Sequence, residues 1–294
     1  MPVGQILFEY YGELMKVDHI RRSAVYIMSP HMHQDRYEIY YLLSGSRDYL
    51  VRDGIYTVNK GEMILIPAGE LHKSLESDRP EHERIVIEFD RRFIETDLLS
   101  VGLPLFDVFQ TDHYVLHLPD GLRQRAEHLL FDIIRELRDE PEGYEAMIRT
   151  SLIQLLILIY RCHDRRACQQ EALLPGRKAW IAGITRYIHD HYAEPLTLPD
   201  LARQFAVSSY YLSRCFHQET GMHLPDYINL VRVKEAKQRL LAGQTQIAAI
   251  ALAVGYTNVT HFGRVFHKVH GVSPSELKRT IRLSRGKSAL KHNG

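Results

Sequence analysis

The chain has little cysteine and no long apolar segment. Its 294 residues include three cysteines, Cys162, Cys168 and Cys215, and no CxxC pair. Three such cysteines form no disulfide framework and suit a reducing compartment. The longest apolar run, residues 152–160, contains Gln154 and is too short to cross a bilayer. No basic-apolar-small signal opens the chain, so we expect a cytoplasmic protein without a membrane span.

Common enzyme motifs and a large net charge are also missing. The sequence has no Walker phosphate loop, no GxSxG and no dinucleotide-binding fingerprint. Its formal charge of +1 hides two unlike halves: residues 176–294 hold 17 Lys and Arg against 7 Asp and Glu, and residues 1–175 hold 20 against 29. At this length two domains are expected. The asymmetry indicates an acidic domain joined to a basic one that meets phosphate.

The last third of the chain contains a repeat. Residues 198–206 and 208–221 return as residues 247–255 and 258–271. Each copy predicts a short apolar helix, a tight turn, and a second helix that begins at a capping Ser or Asn and stops at Gly. This pattern indicates two helix-turn-helix units, which can read adjacent major grooves of DNA without a second subunit. The alternative is a pair of ordinary helical hairpins with solvated polar faces.

The second helix of each copy has an apolar and a polar face. We expect Leu212, Phe216, Phe262, Val265 and Phe266 to pack inside the domain. The polar faces carry Tyr210, Ser213, Arg214 and His217 in one copy, and Thr260, Gly263, Arg264 and His267 in the other. Arg214 and Arg264 share one register, and an Arg near a helix N-terminus can bind a guanine edge or a phosphate.

The first hundred residues predict short β-strands, and two helices follow. The expected strands are residues 38–43, 49–52, 55–58, 63–66 and 84–89, which favour a sandwich or barrel. Residues 122–138 and 144–162 predict helices with apolar stripes. Such stripes are ordinarily core. They can also bury against a second subunit, and we expect a homodimer in which Leu129 and Ile133 lie in that seam.

The repeat resembles the AraC/XylS family of transcription regulators. The resemblance rests on residues 198–202 (LPDLA), 208–216 (SSYYLSRCF), 247–256 (IAAIALAVGY), 262–266 (FGRVF) and 271–274 (GVSP), and covers about residues 180–283. It implies a seven-helix domain with a connecting helix at Leu224–Leu241. It places base-reading positions at Tyr210, Ser213 and Arg214, and at Val259, Thr260, Gly263 and Arg264. It also implies contact with RNA polymerase and a dimerising sensor domain.

A second resemblance concerns the N-terminal half. The spacings HxHx4Ex6G, from His31 to Gly45, and Gx5PxGx2H, from Gly61 to His72, are similar to the two cupin motifs. The opening Gly and closing Asn of those motifs are replaced by Val25 and Glu76. The resemblance implies four candidate ligands, His31, His33, Glu38 and His72. Three imidazoles and a carboxylate suit a divalent metal ion.

Two alternatives to a metal site remain open at this point. The same four residues, with Tyr40, can line a pocket that binds an organic effector without a metal, or the second motif can be merely a turn. Five tyrosines lie near this segment, at positions 37, 40, 41, 49 and 56. Phenols that face inward can stack on a sugar ring and bind its hydroxyls.

These observations predict an α+β multidomain protein. It has an N-terminal cupin-like β-barrel with two helices, and a C-terminal all-α domain with two helix-turn-helix motifs. We expect an effector-sensing and dimerisation domain at 1–165, a linker at 166–178, a DNA-binding domain at 179–285 and a flexible basic tail at 286–294. The predicted function is that of a transcription activator controlled by a sugar or sugar derivative. The alternative is a metal-binding cupin enzyme fused to a DNA-binding domain.

Overall fold

The computed structural model describes residues 4–23, 33, 35–52, 54–75, 81–110, 114–163, 176–244 and 246–291. Side chains are not described at 99–100, 163 and 284–291. The contacts of the chain separate two compact units, with the boundary between Ala179 and Trp180. The first unit is rich in β-strands and the second is helical, so the expected α+β fold is confirmed.

The first unit contains two antiparallel sheets. Its strands are β1 Gly4–Tyr11, β2 Met15–Arg22, β3 Arg36–Ser44, β4 Ser46–Val51, β5 Gly54–Asn59, β6 Glu62–Ile66, β7 His72–Ser74, β8 His82–Asp90 and β9 Val115–His117. The larger sheet has the order β1-β2-β8-β3-β6-β9, and the smaller one has the order β5-β4-β7. The ladders of these described strands form two facing sheets rather than one closed ring of strands.

Alternate residues of the larger sheet pack in two different hydrophobic cores, one on each face. Tyr40 and Val86 face the smaller sheet and pack with Tyr49 and Val51 of β4. Ile39, Tyr41, Ile85 and Ile87 face the other way, towards the helices. This alternation follows from the two-residue period of a strand. The larger sheet is therefore buried on both faces, which explains why its central strands contain so few exposed residues.

Three helices cover the outer face of the larger sheet: α1 Glu95–Val101, α2 Asp120–Asp139 and α3 Tyr144–His163. The apolar stripes of α2 and α3 belong to the core that they form with this sheet. Leu129 is 7 % exposed and Ile133 is fully buried within the single chain. The expectation that these two residues lie in a seam between subunits is therefore wrong, because the sheet of the same chain already covers them.

Seven helices lie in the described residues from Gly176 onward, the first of which begins four residues before the second unit: α4 Gly176–His191, α5 Leu198–Gln204, α6 Ser209–Thr220, α7 Leu224–Leu241, α8 Ile247–Ala253, α9 Val259–His270 and α10 Pro274–Lys291. Helices α5–α6 and α8–α9 are the two helix-turn-helix units, and α7 connects them. The caps repeat as well. Ser208 Oγ accepts from the Tyr211 amide at 3.2 Å, and Asn258 Oδ1 accepts from the His261 amide at 2.9 Å.

The predicted linker and tail differ from the structure at their ends. Residues 164–175 lie outside the described residues, and the last predicted linker residues, 176–178, already belong to α4. The predicted flexible tail is helical up to Lys291. Ser273 and Glu276 form a capping box that starts α10, with bonds of 2.7 and 3.2 Å, and no proline follows to stop the helix.

Cysteine pairing also differs from the expectation. Cys162 is buried and disulfide-bonded, whereas Cys215 is buried and free. Cys168 lies outside the described residues. The low cysteine count predicted no disulfide, and this is wrong for Cys162, because a disulfide needs only two cysteines within reach whatever their total number. Among the described helices, none is long and apolar enough to cross a membrane.

Candidate effector cavity and DNA interface

Three charged residues form a row across the inner face of the larger sheet. Lys16 of β2 is in register with Glu88 of β8, and Glu88 is in register with Glu38 of β3. Lys16 Nζ lies 3.0 Å from Glu88 and 3.1 Å from Asp18. The carboxylates of Asp18, Glu38 and Glu88 are at least nine-tenths buried. Lys16 therefore balances part of a buried acidic cluster, and the two glutamates are left side by side.

His72 lies against Glu38. Its Nε2 is 3.1 Å from a Glu38 carboxylate oxygen, and its Nδ1 is 3.0 Å from the backbone carbonyl of Glu70. A carbonyl only accepts, so Nδ1 carries a proton and Nε2 faces the carboxylate. Burial alone would lower the pKa of His72, but the charge and hydrogen bond of Glu38 raise the net pKa above its ordinary value. The imidazole can thus donate to Glu38 as a cation or, when neutral, offer Nε2 to another cation.

His33 completes a group of possible metal ligands. Its Nε2 lies 3.7 Å from Glu38 and 3.5 Å from Glu88, and burial lowers its pKa in spite of these carboxylates. One ligand atom each from His33, Glu38 and His72 lie within 4.8 Å of one another. The bond from His72 Nδ1 to a backbone carbonyl is the outer contact that fixes the tautomer of a metal-bound histidine. These three residues fit a divalent metal ion. The fourth predicted ligand, His31, lies outside the described residues.

A cavity of about 280 Å³ opens beside this row. Its polar lining includes Lys16, Asp18, His33, Glu38, Tyr49, Arg84 and Glu88. Tyr40 lies next to this lining, with its ring 4.8 Å from that of Tyr49, and His72 contacts Glu38. Burial raises the pKa of Tyr40 to about 12, so its phenol remains protonated. The predicted pocket residues that the structure describes therefore gather around one cavity.

A larger cavity of about 470 Å³ lies on the helix side of the sheet, near Met15, Leu137 and Ile148. Its lining contains none of the predicted site residues. We take the smaller cavity as the candidate site because charged groups converge there. Sequence reasoning missed Lys16, Asp18, Arg84 and Glu88. They belong to no motif, and only the register of β2 and β8 brings them together.

The predicted DNA-contacting residues lie on the second helix of each helix-turn-helix unit. Tyr210 is 75 % exposed, and Arg214 and His217 are exposed on α6. Val259, Thr260 and Arg264 are exposed on α9, while Ser213 and Gly263 are partly buried. Phe216, Phe262 and Phe266 on the opposite faces are fully buried. The two helices thus present a comparable exposed surface, on which every predicted contact residue retains some exposure.

Arg232 is a basic residue with a different task. Its guanidinium donates to the backbone carbonyls of Tyr192 and Glu194, both at 2.8 Å, and lies 5.5 Å from the centre of the Tyr256 ring. Burial lowers its pKa. Arg232 therefore connects α7 to the residues that follow α4 and to Tyr256 in the second helix-turn-helix unit. Its guanidinium makes its contacts within the domain.

Two helix-turn-helix units and a sheet domain with a polar cavity define a DNA-binding regulator that has a ligand-binding domain. The model of the AraC-like ligand binding domain matches residues 18–156, and a helix-turn-helix domain model matches residues 201–280. The chain belongs to the AraC/XylS family of transcription regulators, as its repeat predicted.

Curated relatives match along most of the chain. The uncharacterized HTH-type transcriptional regulator YisR of Bacillus subtilis is 25 % identical over 83 % of this chain and 86 % of its own length. The HTH-type transcriptional activator RhaS of Shigella boydii is 22 % identical, covering 85 % and 87 %. The arabinose operon regulatory protein of Salmonella typhimurium is 27 % identical, covering 76 % of each chain.

Proposed function

We propose that this protein activates transcription in response to a sugar or sugar derivative that binds in the cavity beside Glu38. The observation that carries this proposal is the convergence of buried charged and phenolic side chains on one cavity within the matched ligand-binding domain. Carboxylates, imidazoles and phenols together supply the donors and acceptors that a ring with several hydroxyls requires.

Two relatives support the finer points of the proposal. One is an arabinose operon regulatory protein, which favours a sugar, and another is a transcriptional activator, which favours activation. On the DNA side, Tyr210, Ser213, Arg214 and His217 would contact one major groove. Val259, Thr260, Gly263 and Arg264 would contact the next. We further propose a homodimer in the cytoplasm and contact with RNA polymerase, as the family resemblance implies.

The test measures operator binding by the full-length protein with and without a panel of sugars. The operator is the best duplex selected by the protein from a random library. His72→Gln should abolish the response to the active sugar, because it removes the ionic contact to Glu38. His117→Gln, which changes a half-exposed histidine outside the cavity, should respond like wild type. An unchanged response in His72→Gln would contradict the site.

The His33–Glu38–His72 group supports a second proposal, a bound divalent metal ion. His31 would be the fourth ligand. A metal with open positions would act as a Lewis acid and anchor an oxygen atom of the effector. The enzyme alternative requires more, namely turnover of a bound compound. Purified protein that converts a sugar or an aromatic compound would favour it, and binding without conversion favours a sensor.

A further inference from the structure

Two arginines of the ligand-binding domain, Arg47 and Arg84, each have a buried guanidinium nitrogen without a hydrogen-bond partner. Arg47 of β4 is 3 % exposed, and its Nε has no hydrogen-bond partner. Its Nη2 donates to Ser74 Oγ only at 3.5 Å, which is the outer limit of a hydrogen bond. An uncompensated buried charge is strongly unfavourable in a folded protein. The fold therefore holds a guanidinium at a place where its own residues satisfy it poorly.

Arg84 of β8 is partly buried, and it lines the cavity. Its Nη1 is buried and has no hydrogen-bond partner. Its neighbours in register are apolar, Ile20 on β2 and Leu42 on β3. Burial alone would lower the pKa of Arg84, but the net pKa is raised by Tyr49, by Tyr40, whose ring centre lies 5.7 Å from the guanidinium carbon, and by the more distant carboxylates of Asp18 and Glu38. A ring face offsets only part of the charge.

Three acidic residues of the cavity are already paired with other cations. Asp18 and Glu88 contact Lys16, and Glu38 contacts His72. Within the described part of the chain, no carboxylate lies at ion-pair distance from Arg47 or Arg84. Burial also raises the pKa of Tyr49 well above its ordinary value, so neither Tyr40 nor Tyr49 supplies a negative charge near neutral pH.

We propose that the effector carries an anionic group, a carboxylate or a phosphate, which Arg84 and Arg47 receive between the two sheets. The inference rests on the proposed function and narrows its effector to an acidic or phosphorylated sugar. A guanidinium presents a planar fork of N–H donors that matches either anion. Tyr49 lies at the same place, since it lines the cavity and belongs to the same inner face of β4 as Arg47. The carboxylates and His33 remain available for the hydroxyls.

The test measures the melting temperature of the full-length protein in low-millimolar inorganic phosphate and in chloride of equal ionic strength. Phosphate should raise the melting temperature of wild type by about 2–4 °C, because it binds only the folded state. The rise should vanish in Arg84→Met and in Arg47→Met and survive in Arg135→Met, which removes an exposed arginine of α2. In chloride, Arg47→Met should melt at or above wild type, since it removes a buried charge whose Nε has no hydrogen-bond partner.

A charge-conserving variant keeps the test decisive if a methionine variant fails to fold. Arg84→Lys retains the charge and loses the fork, so it should keep a reduced phosphate response. No phosphate response in wild type, or an equal response in wild type and both arginine variants, would overturn the anion site.

Operator binding separates this inference from the proposed function. Each sugar is supplied as the neutral aldose, its uronate and its phosphate ester. An effect of the uronate alone or the ester alone supports the inference and identifies the anion. An effect of the neutral aldose alone leaves the proposed function standing and overturns the inference. If phosphate stabilises the protein but no form of any sugar changes operator binding, the anion site is supported and a sugar effector is contradicted.

Discussion

Glu38 and Glu88 lie directly opposite each other on β3 and β8, with both carboxylates buried on the inner face. Like charges opposite each other on neighbouring strands are destabilising. Lys16 and His72 reduce this repulsion at one carboxylate each, and His33 Nε2 lies between the two, at 3.7 and 3.5 Å. The repulsion gives the site a general affinity for cations, whether a protonated imidazole or a metal ion.

A metal ion at this site should stabilise the folded protein. We expect zinc, manganese or nickel to raise the melting temperature of untagged protein, and a chelator to reverse the rise, because the ligands converge only after folding. Glu38→Gln should lose the effect. Glu88→Gln is the matched control, since it removes the same charge and leaves the three ligand atoms in place. Equal metal responses in both variants would contradict the assignment of Glu38 as a ligand.

Arg214 should contribute to recognition of particular bases. Arg214→Ala should weaken binding to the selected duplex by about 1–3 kcal/mol and relax preference at one base pair. If Arg264 contacts phosphate instead, Arg264→Ala should weaken all duplexes alike and lower the salt dependence of binding. A titration of the full-length variants over a salt series distinguishes the two outcomes. Arg135→Ala, in the ligand-binding domain, is the control. Unchanged binding in both helix variants would contradict these roles.

Ile133 should behave as a core residue of one chain. Ile133→Ala should lower the free energy of unfolding by about 2–5 kcal/mol, because it leaves a cavity between α2 and the sheet. Met147→Ala, at a position 52 % exposed on α3, should have little effect. Denaturant unfolding at two protein concentrations is the measurement. A loss of stability that depends on protein concentration would instead indicate that Ile133 lies between two subunits.

The sequence predicted the helices and the central strands because their apolar residues are regularly spaced. The connecting helix at Leu224–Leu241 has the bounds that the family resemblance implied. Strands β1 and β2 were not predicted. In β2, Lys16 and Asp18 interrupt the apolar pattern, since they face a polar cavity instead of a core. The site was predicted only where a motif marks it, at His33, Glu38 and His72. Lys16, Arg84 and Glu88 reach it through strand register, which a single sequence does not reveal.

Ala206 and Gly255 occupy the same position in the turns of the two helix-turn-helix units. Both have positive φ, +53° at Ala206 and +87° at Gly255. The following amide donates to the equivalent carbonyl in each turn, Val207 to Ala202 and Tyr256 to Ala251, both at 2.9 Å. The left-handed conformation is unfavourable for alanine and not for glycine. One turn is therefore strained at a position where its copy is relaxed.

Exchanging these residues should have opposite effects. Ala206→Gly should stabilise the protein by up to about 1 kcal/mol. It relieves the left-handed strain, and the greater conformational entropy of the unfolded chain offsets part of that gain. Gly255→Ala should destabilise it by more than that amount. Besides the strain, a Cβ there would lie 2.8 Å from the Tyr192 carbonyl oxygen and 3.0 Å from that of Ala193. Denaturant unfolding of the two variants checks both signs. A destabilised Ala206→Gly would show that the first turn depends on the alanine side chain and not only on its backbone conformation.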